Sequence, residues 1–204
     1  MPKATRVSFV HFNGKLDGGV LVGYEDGMIA ILDSDTGECL LEEPIHDKAI
    51  NRISFNKEKT LLYTASADCK AKMVDVAKLQ ILKTYETDRP VNAIVQHPTK
   101  DHVILGGGQE AMSVTTTSGR VGKFEARFFE SIYVQEFGRV KGHFGPINAL
   151  AVNPDGSSYC SGAEDGYIRL HHFDQDYVNK TDSVPEERIE AQEGDEELLE
   201  ENKA

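Results

Sequence analysis

Between residues 141 and 170 the chain reads KGHFGPINALAVNPDGSSYCSGAEDGYIRL. The run from Ile147 to Val152 has a strand-like alternation, which predicts a β-strand, and the Pro-Asp-Gly that follows predicts a tight turn. A second strand-like run leads into the Gly- and Ser-rich stretch around Asp165, and a third run leaves it. Short strands joined by tight turns indicate an antiparallel β-unit.

The same unit recurs along the chain. Segment 143–172 aligns without a gap with segment 46–75, and two further copies are recognisable. The residue at the tight turn of the four copies is Asp26, Asp68, Gln109 or Asp165. The period is about 42 residues, with a longer connection before the last copy. Each copy contains four short predicted strands, the first of which spans 7–12, 50–55, 91–96 and 147–152.

This pattern is typical of a β-propeller blade, whereas helical repeats are excluded because the apolar period is 2 and Gly is frequent. It resembles the WD repeat: Gly142-His143 matches the GH dipeptide, and the run that starts at Ser161 matches S-G-x-x-D-G-x-I-R-L. The usual Trp is replaced in each copy. We therefore predict an all-β fold, a WD-repeat propeller of about four blades. Its blades are expected at about 5–45, 46–87, 88–142 and 143–181.

The remaining residues, 182–204, carry ten acids and two bases and account for most of the net charge of −12. Such a run is typical of a solvated tail, disordered or with a short helix capped by Ser183 and Glu186, and we expect no chemistry of its own there. The rest of the chain is close to neutral.

Composition excludes several classes of function. Net acidity argues against direct binding to nucleic acid or to an anionic membrane, because phosphate contacts need clusters of Lys and Arg. No apolar run approaches the ~20 residues of a membrane span, and the N-terminal residues lack the apolar core of a signal peptide. The three cysteines are widely separated, which favours reduced intracellular thiols over disulfides or a zinc site. No metal or cofactor is expected.

His143, Ser161 and Asp165 have the residue types of a hydrolase triad. The same set recurs in register in an earlier copy as His46, Thr64 and Asp68. A catalytic triad is rarely present twice, whereas a buried network that satisfies polar groups is expected in every blade. We therefore predict that both sets are structural and that the chain is not an enzyme.

Several segments resemble one family more closely than WD repeats in general, namely subunit i of eukaryotic translation initiation factor 3. They are the segments KTYETDRPVN (83–92), LGGGQEA (105–111), VTTT (114–117), GKFEARF (122–128) and GRVKGHFGP (138–146). The resemblance covers about residues 5–177. It implies a seven-bladed, non-catalytic scaffold that docks to subunits b and g in the cytoplasm. Such a scaffold contacts the small ribosomal subunit through the complex and assists pre-initiation complex assembly and scanning.

In this family a C-terminal helix of subunit b, with basic and aromatic side chains, lies against acidic positions of one blade. Those positions correspond to Glu58 and Asp75, whose loops we expect at the same end of a blade, where an Arg can bind both carboxylates. Gln109 replaces the turn Asp, as in the family, and is expected to fix that turn. Four copies stand where the family has seven, so we expect an open arc with exposed edges and core side chains at its ends. A WD-repeat adaptor in a kinase or receptor complex is the alternative, because a propeller fold does not fix function.

Overall fold

The computed structural model describes residues 3–9, 19–108 and 124–179, with side chains for all of them except 6–9. Gln109, the acidic segment 182–204 and the blade boundary expected at residue 181 lie outside the described residues. The chain divides into two units, Met1–Phe173 and Asp174–Ala204.

In the described part of the first unit, fifteen strands form four antiparallel sheets, numbered here in chain order. Sheet 1 contains β1 (Ala4–Phe9), β2 (Gly19–Tyr24), β3 (Met28–Asp33) and β4 (Cys39–Pro44). Sheet 2 contains β5 (Ile50–Phe55), β6 (Leu61–Ser66), β7 (Lys70–Asp75) and β8 (Gln80–Glu86). Sheet 3 contains β9 (Val91–Gln96), β10 (His102–Gly107), β11 (Glu125–Glu130) and β12 (Glu136–Lys141). Sheet 4 contains β13 (Ile147–Val152), β14 (Ser158–Ala163) and β15 (Ile168–His172).

The prediction of an all-β fold with four propeller blades is confirmed, and over the described residues the sheets do not close into a ring. The first strands of sheets 2, 3 and 4 have the predicted bounds. The first strand of sheet 1 begins at Ala4 instead of Val7, because the Thr5 hydroxyl donates to the carbonyl of Ile50 at 2.8 Å and ties β1 to β5. The fourth strand expected in the last blade is not found in the residues described, which reach Asn179.

The hydrophobic core lies between successive sheets. We call the face that a sheet turns toward the next sheet its trailing face, and the opposite one its leading face. The trailing face of sheet 2 carries Tyr63 and Met73, which cluster with Val91, Ile94 and other apolar residues of sheet 3. The trailing face of sheet 1 packs in the same way on the leading face of sheet 2. Each aliphatic side chain buried there contributes about 1.5–3 kcal/mol.

Gly27 lies at the tight turn of sheet 1, where its backbone packs closely against the loop before sheet 2. Its φ is +89°, and its carbonyl accepts the backbone N–H groups of Ile45 (3.1 Å) and His46 (3.0 Å). A Cβ there would lie 2.0 Å from the His46 carbonyl oxygen, whereas a Cβ at Gly37, whose φ is +72°, would meet nothing within 4 Å. Gly37→Ala is expected to lower the free energy of unfolding by only about 1 kcal/mol, because its sole effect is to force alanine into the left-handed backbone conformation. We expect Gly27→Ala to lower the free energy of unfolding by about 3 kcal/mol, because the loop before sheet 2 must move.

Urea denaturation of Gly27→Ala and Gly37→Ala measures the change in the free energy of unfolding that each substitution causes. Equal costs would contradict the close approach of Gly27 to the loop at His46.

In the second unit the described residues form one short helix, α1 (Gln175–Asn179). Asp174 caps it: its carboxylate accepts the N–H of Tyr177 at 2.8 Å, and its carbonyl accepts the N–H of Val178 at 3.0 Å. An Asp at this position is a favoured N-cap.

Candidate partner-binding site

Glu58 lies in the turn between β5 and β6, and its side chain is exposed. Asn56 holds this turn, because its side-chain oxygen accepts the backbone N–H groups of Thr60 (2.8 Å) and Leu61 (2.9 Å). The Asn56 amide also donates to a Glu58 carboxylate oxygen at 3.2 Å. Asn is common in turns because its side chain bonds nearby backbone groups. The Glu58 carboxylate is thus anchored on one side and faces solvent on the other.

Asp75, the last residue of β7, is half-buried and pairs with Leu61 at the start of β6. It therefore lies at the same end of sheet 2 as the turn that carries Glu58. The backbone N–H of Val76 donates to the carbonyl of Thr60 at 3.1 Å and joins the two turns directly. The two acids are thus held on one connected piece of backbone.

Three exposed lysines flank the two acids: Lys57, Lys59 and Lys78. The backbone N–H of Lys78 donates to the Asp75 carboxylate at 3.0 Å. The surface therefore carries alternating charges and not a uniform acidic field. A charged partner gains specificity here by matching both signs.

Apolar side chains lie beside these charges. Leu79 is buried in the core, but Ile81 and Leu82 on β8 are 40% and 42% exposed. Aliphatic side chains next to charged groups are a usual combination in protein interfaces. The end and outer edge of sheet 2 thus present both charged and aliphatic side chains to a partner.

The first predicted network surrounds His46, which is buried. His46 Nδ1 lies 2.9 Å from Asp68 Oδ2, and Nε2 lies 2.7 Å from the Thr64 hydroxyl. With Asp68 ionised, Nδ1–H donates to the carboxylate and the Thr64 hydroxyl donates to Nε2. Asp68 also accepts the backbone N–H groups of Asp47 (3.1 Å) and Lys70 (2.9 Å). The network ties the loop before β5 to β6 and to the turn that follows it.

The second network has the same geometry in sheet 4. His143 Nδ1 lies 3.0 Å from Asp165 Oδ2, and Nε2 lies 2.8 Å from the Ser161 hydroxyl. Asp165 also accepts the backbone N–H groups of Phe144 (2.9 Å) and Tyr167 (3.0 Å). Ser161 is only 2% exposed, so its hydroxyl is shielded from any substrate. The arrangement satisfies buried polar groups as expected of a structural network.

Groups of these networks, together with His171 on β15, make stability depend on pH. Burial lowers the pKa of His46 below its ordinary 6.5, despite the opposing effect of Asp68, and burial lowers the pKa of His171 too. Burial alone would raise the pKa of Asp68, but His46 and two backbone N–H groups lower it. The pKa of Asp165 falls to about 2, because backbone N–H groups and His143 outweigh burial. In every case the unfolded chain binds protons more readily than the folded one.

Acidification is therefore expected to destabilise the protein in two steps. The histidines lower stability as the pH falls below about 6.5, and the aspartates lower it further below about 4. We expect the unfolding midpoint to drop measurably between pH 7 and pH 5. His46→Gln should unfold at a lower temperature at pH 7 and show a smaller drop. A midpoint that rises between pH 7 and pH 5 would contradict a neutral, buried His46.

Comparison with known proteins identifies the family. A sequence model of the family described as EIF3I matches residues 2–181. The chain belongs to the family of eukaryotic translation initiation factor 3 subunit I. It is 55% identical over 164 residues to that subunit from Nematostella vectensis, and the match covers 80% of this chain and 51% of the relative. The subunits from Danio rerio and Bombyx mori are 54% and 51% identical, over 81% and 82% of this chain and 51% of each relative.

The chain thus spans about half the length of the curated subunit I relatives it matches. The match includes sheet 2 with Glu58 and Asp75, and both buried networks. The resemblance to subunit I inferred from the sequence is confirmed.

One feature of this subunit I family member was not predicted from the sequence. Arg127 on β11 donates to both carboxylate oxygens of Glu136 (3.1 and 2.5 Å) and to Asp88 (3.1 Å). Arg139, which faces Arg127 across β11 and β12, donates to Glu136 and, at 3.4 Å, to the buried Glu125. Burial alone would raise the pKa of Glu136, but the two arginines lower it. The acids neutralise two cations that would otherwise repel across the strands.

Within residues 3–9, 19–108 and 124–179, no group of three or more His, Cys, Asp and Glu side chains is placed to hold a metal ion. Over the same ranges, no helix is both long and apolar enough to cross a membrane. Cys39, Cys69 and Cys160 are free thiols.

Proposed function

We propose that the chain acts in the cytoplasm as a non-catalytic scaffold subunit of eukaryotic translation initiation factor 3. In this role it binds subunits b and g, reaches the small ribosomal subunit through the complex, and assists pre-initiation complex assembly and scanning. The family membership over residues 2–181 supports the assignment. The names of its relatives describe a subunit of an initiation factor.

Subunit b binds, in this proposal, at the end of sheet 2 that carries Glu58 and Asp75. The observation that supports it most is the hydrogen bond from Val76 N–H to the Thr60 carbonyl, because it joins the two acidic turns. A helix with basic side chains donates to the two carboxylates, and Arg does so through two parallel hydrogen bonds. Its apolar or aromatic side chains cover Ile81 and Leu82, which are exposed here.

A scaffold role also fits the chemistry of the two His networks. Their hydroxyl and imidazole groups are buried and bond to one another, so they have structural tasks already. Binding through surface turns needs no reactive group. The proposed activity is therefore assembly of a complex, not conversion of a substrate.

Affinity purification of the tagged chain from eukaryotic cells tests this function. Quantitative mass spectrometry is expected to recover subunits b and g in amounts close to that of the chain, as with a tagged full-length subunit I control. Recovery of a kinase or receptor complex without initiation-factor subunits would contradict the proposal and favour a signalling adaptor. Recovery of the folded chain alone would contradict it too.

A further inference from the structure

The turn that carries Asp75 in sheet 2 recurs in sheet 1, where Asp33 occupies the same position. Asp33 is the last residue of β3 and Asp75 is the last residue of β7. The fourth residue after each aspartate has a left-handed backbone, with a φ of +72° at Gly37 and +52° at Leu79. Both aspartates are half-buried. Charge and exposure alone therefore do not distinguish the two sheet ends as places for a basic partner.

The hydrogen bonds of Asp33 come from its own turn and fill one carboxylate oxygen. Oδ1 accepts the backbone N–H of Asp35 (2.9 Å), the backbone N–H of Thr36 (2.7 Å) and the Thr36 hydroxyl (3.0 Å). The two groups of Thr36 and the N–H of Asp35 lower the pKa of Asp33 below its ordinary 3.8. A carboxylate oxygen has about two lone pairs, so three donors leave no room for a further one on Oδ1.

Asp75 keeps both of its oxygens available. Within the part of the chain that the structure describes, its carboxylate accepts a single hydrogen bond, from the backbone N–H of Lys78 to Oδ1 at 3.0 Å. Lys78 stands where sheet 1 has Thr36, but its exposed side chain offers no hydroxyl to the aspartate. Oδ1 of Asp75 therefore retains a lone pair, and Oδ2 retains both.

This difference decides which carboxylate can receive a guanidinium. The two parallel hydrogen bonds of an arginine need one acceptor site on each carboxylate oxygen. Asp75 offers a site on each oxygen, whereas Asp33 offers sites on Oδ2 alone. A geometry with two hydrogen bonds is thus open at sheet 2 and closed at sheet 1.

We propose that residue 78 determines the specificity of this surface: a side chain without a hydroxyl there keeps Asp75 able to bind an arginine through both oxygens. A hydroxyl at the same position, as at Thr36, fills Oδ1 and closes the site. The inference rests on the proposed function in one respect, namely that the arginine belongs to the basic helix of subunit b.

A matched pair of variants, Lys78→Thr and Lys78→Val, tests the proposal. Both remove the same cation and introduce side chains of nearly the same shape, but only threonine supplies the hydroxyl. We expect Lys78→Thr to unfold at a higher urea concentration than Lys78→Val, because the new hydroxyl donates to Asp75. Its affinity for the C-terminal peptide of subunit b is expected to be about tenfold lower than that of Lys78→Val, because one charge-assisted hydrogen bond to the peptide is lost.

Thr36→Val is the control for the turn of sheet 1. It should lower the urea midpoint, because Asp33 loses the hydroxyl, and it should keep the peptide affinity within about twofold. Equal affinities of Lys78→Thr and Lys78→Val would overturn the proposal. Equal urea midpoints of the two would overturn it too, because the hydroxyl would then not reach Asp75.

A probe with a single arginine separates this proposal from the proposed function. N-acetylarginine amide is titrated into the full chain, and the backbone amide NMR shifts of residues 75–80 report its binding. We expect larger shifts in Lys78→Val than in Lys78→Thr, whether or not the subunit b peptide binds. Equal shifts in the two variants would overturn the role of residue 78, whereas peptide binding that is absent in the wild type contradicts only the proposed function.

Discussion

Replacing His46 by Ala is expected to lower the free energy of unfolding by about 3–5 kcal/mol. The substitution removes both ring hydrogen bonds and leaves a cavity at a side chain that is fully buried. It also leaves the Thr64 hydroxyl with only a long hydrogen bond of 3.4 Å to the Lys72 carbonyl, and it takes from the buried Asp68 carboxylate its only side-chain partner among the hydrogen bonds described above. A buried charge that loses one of its partners costs more than the lost bond itself, even though the backbone N–H groups of Asp47 and Lys70 still donate to it. Urea denaturation monitored by circular dichroism measures the change.

His172→Ala is the control, because His172 is exposed, and it should change stability by less than about 0.5 kcal/mol. Thr64→Val keeps the shape but removes the hydroxyl, and should cost about 1–2 kcal/mol. His46→Ala combined with Asp68→Ala should cost less than the sum of the two, because they share one interaction. If His46→Ala cost under about 1 kcal/mol, the network would contribute little to the fold.

Charge reversal at Glu58 or Asp75 is expected to weaken binding of a basic helix from subunit b by about 10–100-fold each. A lysine in place of either acid removes a charge-assisted hydrogen bond and adds repulsion to an interface that already contains three lysines. Folding should be unchanged for Glu58→Lys, because the side chain is exposed, and nearly so for Asp75→Lys, which loses one bond to Lys78 N–H. Isothermal titration calorimetry with the C-terminal peptide of subunit b measures the loss.

Two controls separate local from general charge effects. Asp155 occupies the same position in the turn of sheet 4 as Glu58 does in sheet 2, so Asp155→Lys should keep the affinity within about twofold. Lys78→Glu removes a flanking cation and should strengthen binding several-fold at low salt. Unchanged binding by folded Asp75→Lys would exclude Asp75 from the contact. Collapse of its fold would show that Asp75 is a structural residue.

The repeat made most of the fold predictable. β5, β9 and β13 begin with an apolar residue followed by Asn, and the polar turn after each strand marks its end. β1 lacks this pair, so its start at Ala4 depended on a hydrogen bond to the neighbouring sheet that a local pattern does not contain. The recurring Asn51, Asn92 and Asn148 marked the alignment, but their inter-sheet hydrogen bonds became visible only when the strands were placed side by side.

The candidate site was predictable in part. Antiparallel topology alone puts Glu58 and Asp75 at one end of a sheet, and the register confirms that placement. Their role as partner contacts stays a prediction. The ionic cluster of Arg127, Arg139 and Glu136 was not predictable, because register shifts between β11 and β12 decide which charges meet.

The expected exposure at the end of the arc is confirmed for sheet 4. Ile168 is 81% exposed although its equivalent Ala71 is fully buried. Counting repeats predicted that a last sheet has no successor within the four copies. Strand register decides which side chains are uncovered, and the register is known only from the structure.

Titration of the wild-type chain with the C-terminal peptide of subunit b tests the central claim most directly, namely that this half-length member of the subunit I family serves as a scaffold. We expect saturable binding with one peptide per chain, weakened by salt and by Asp75→Lys but not by Asp155→Lys. Absence of binding by a chain shown to be folded would contradict it.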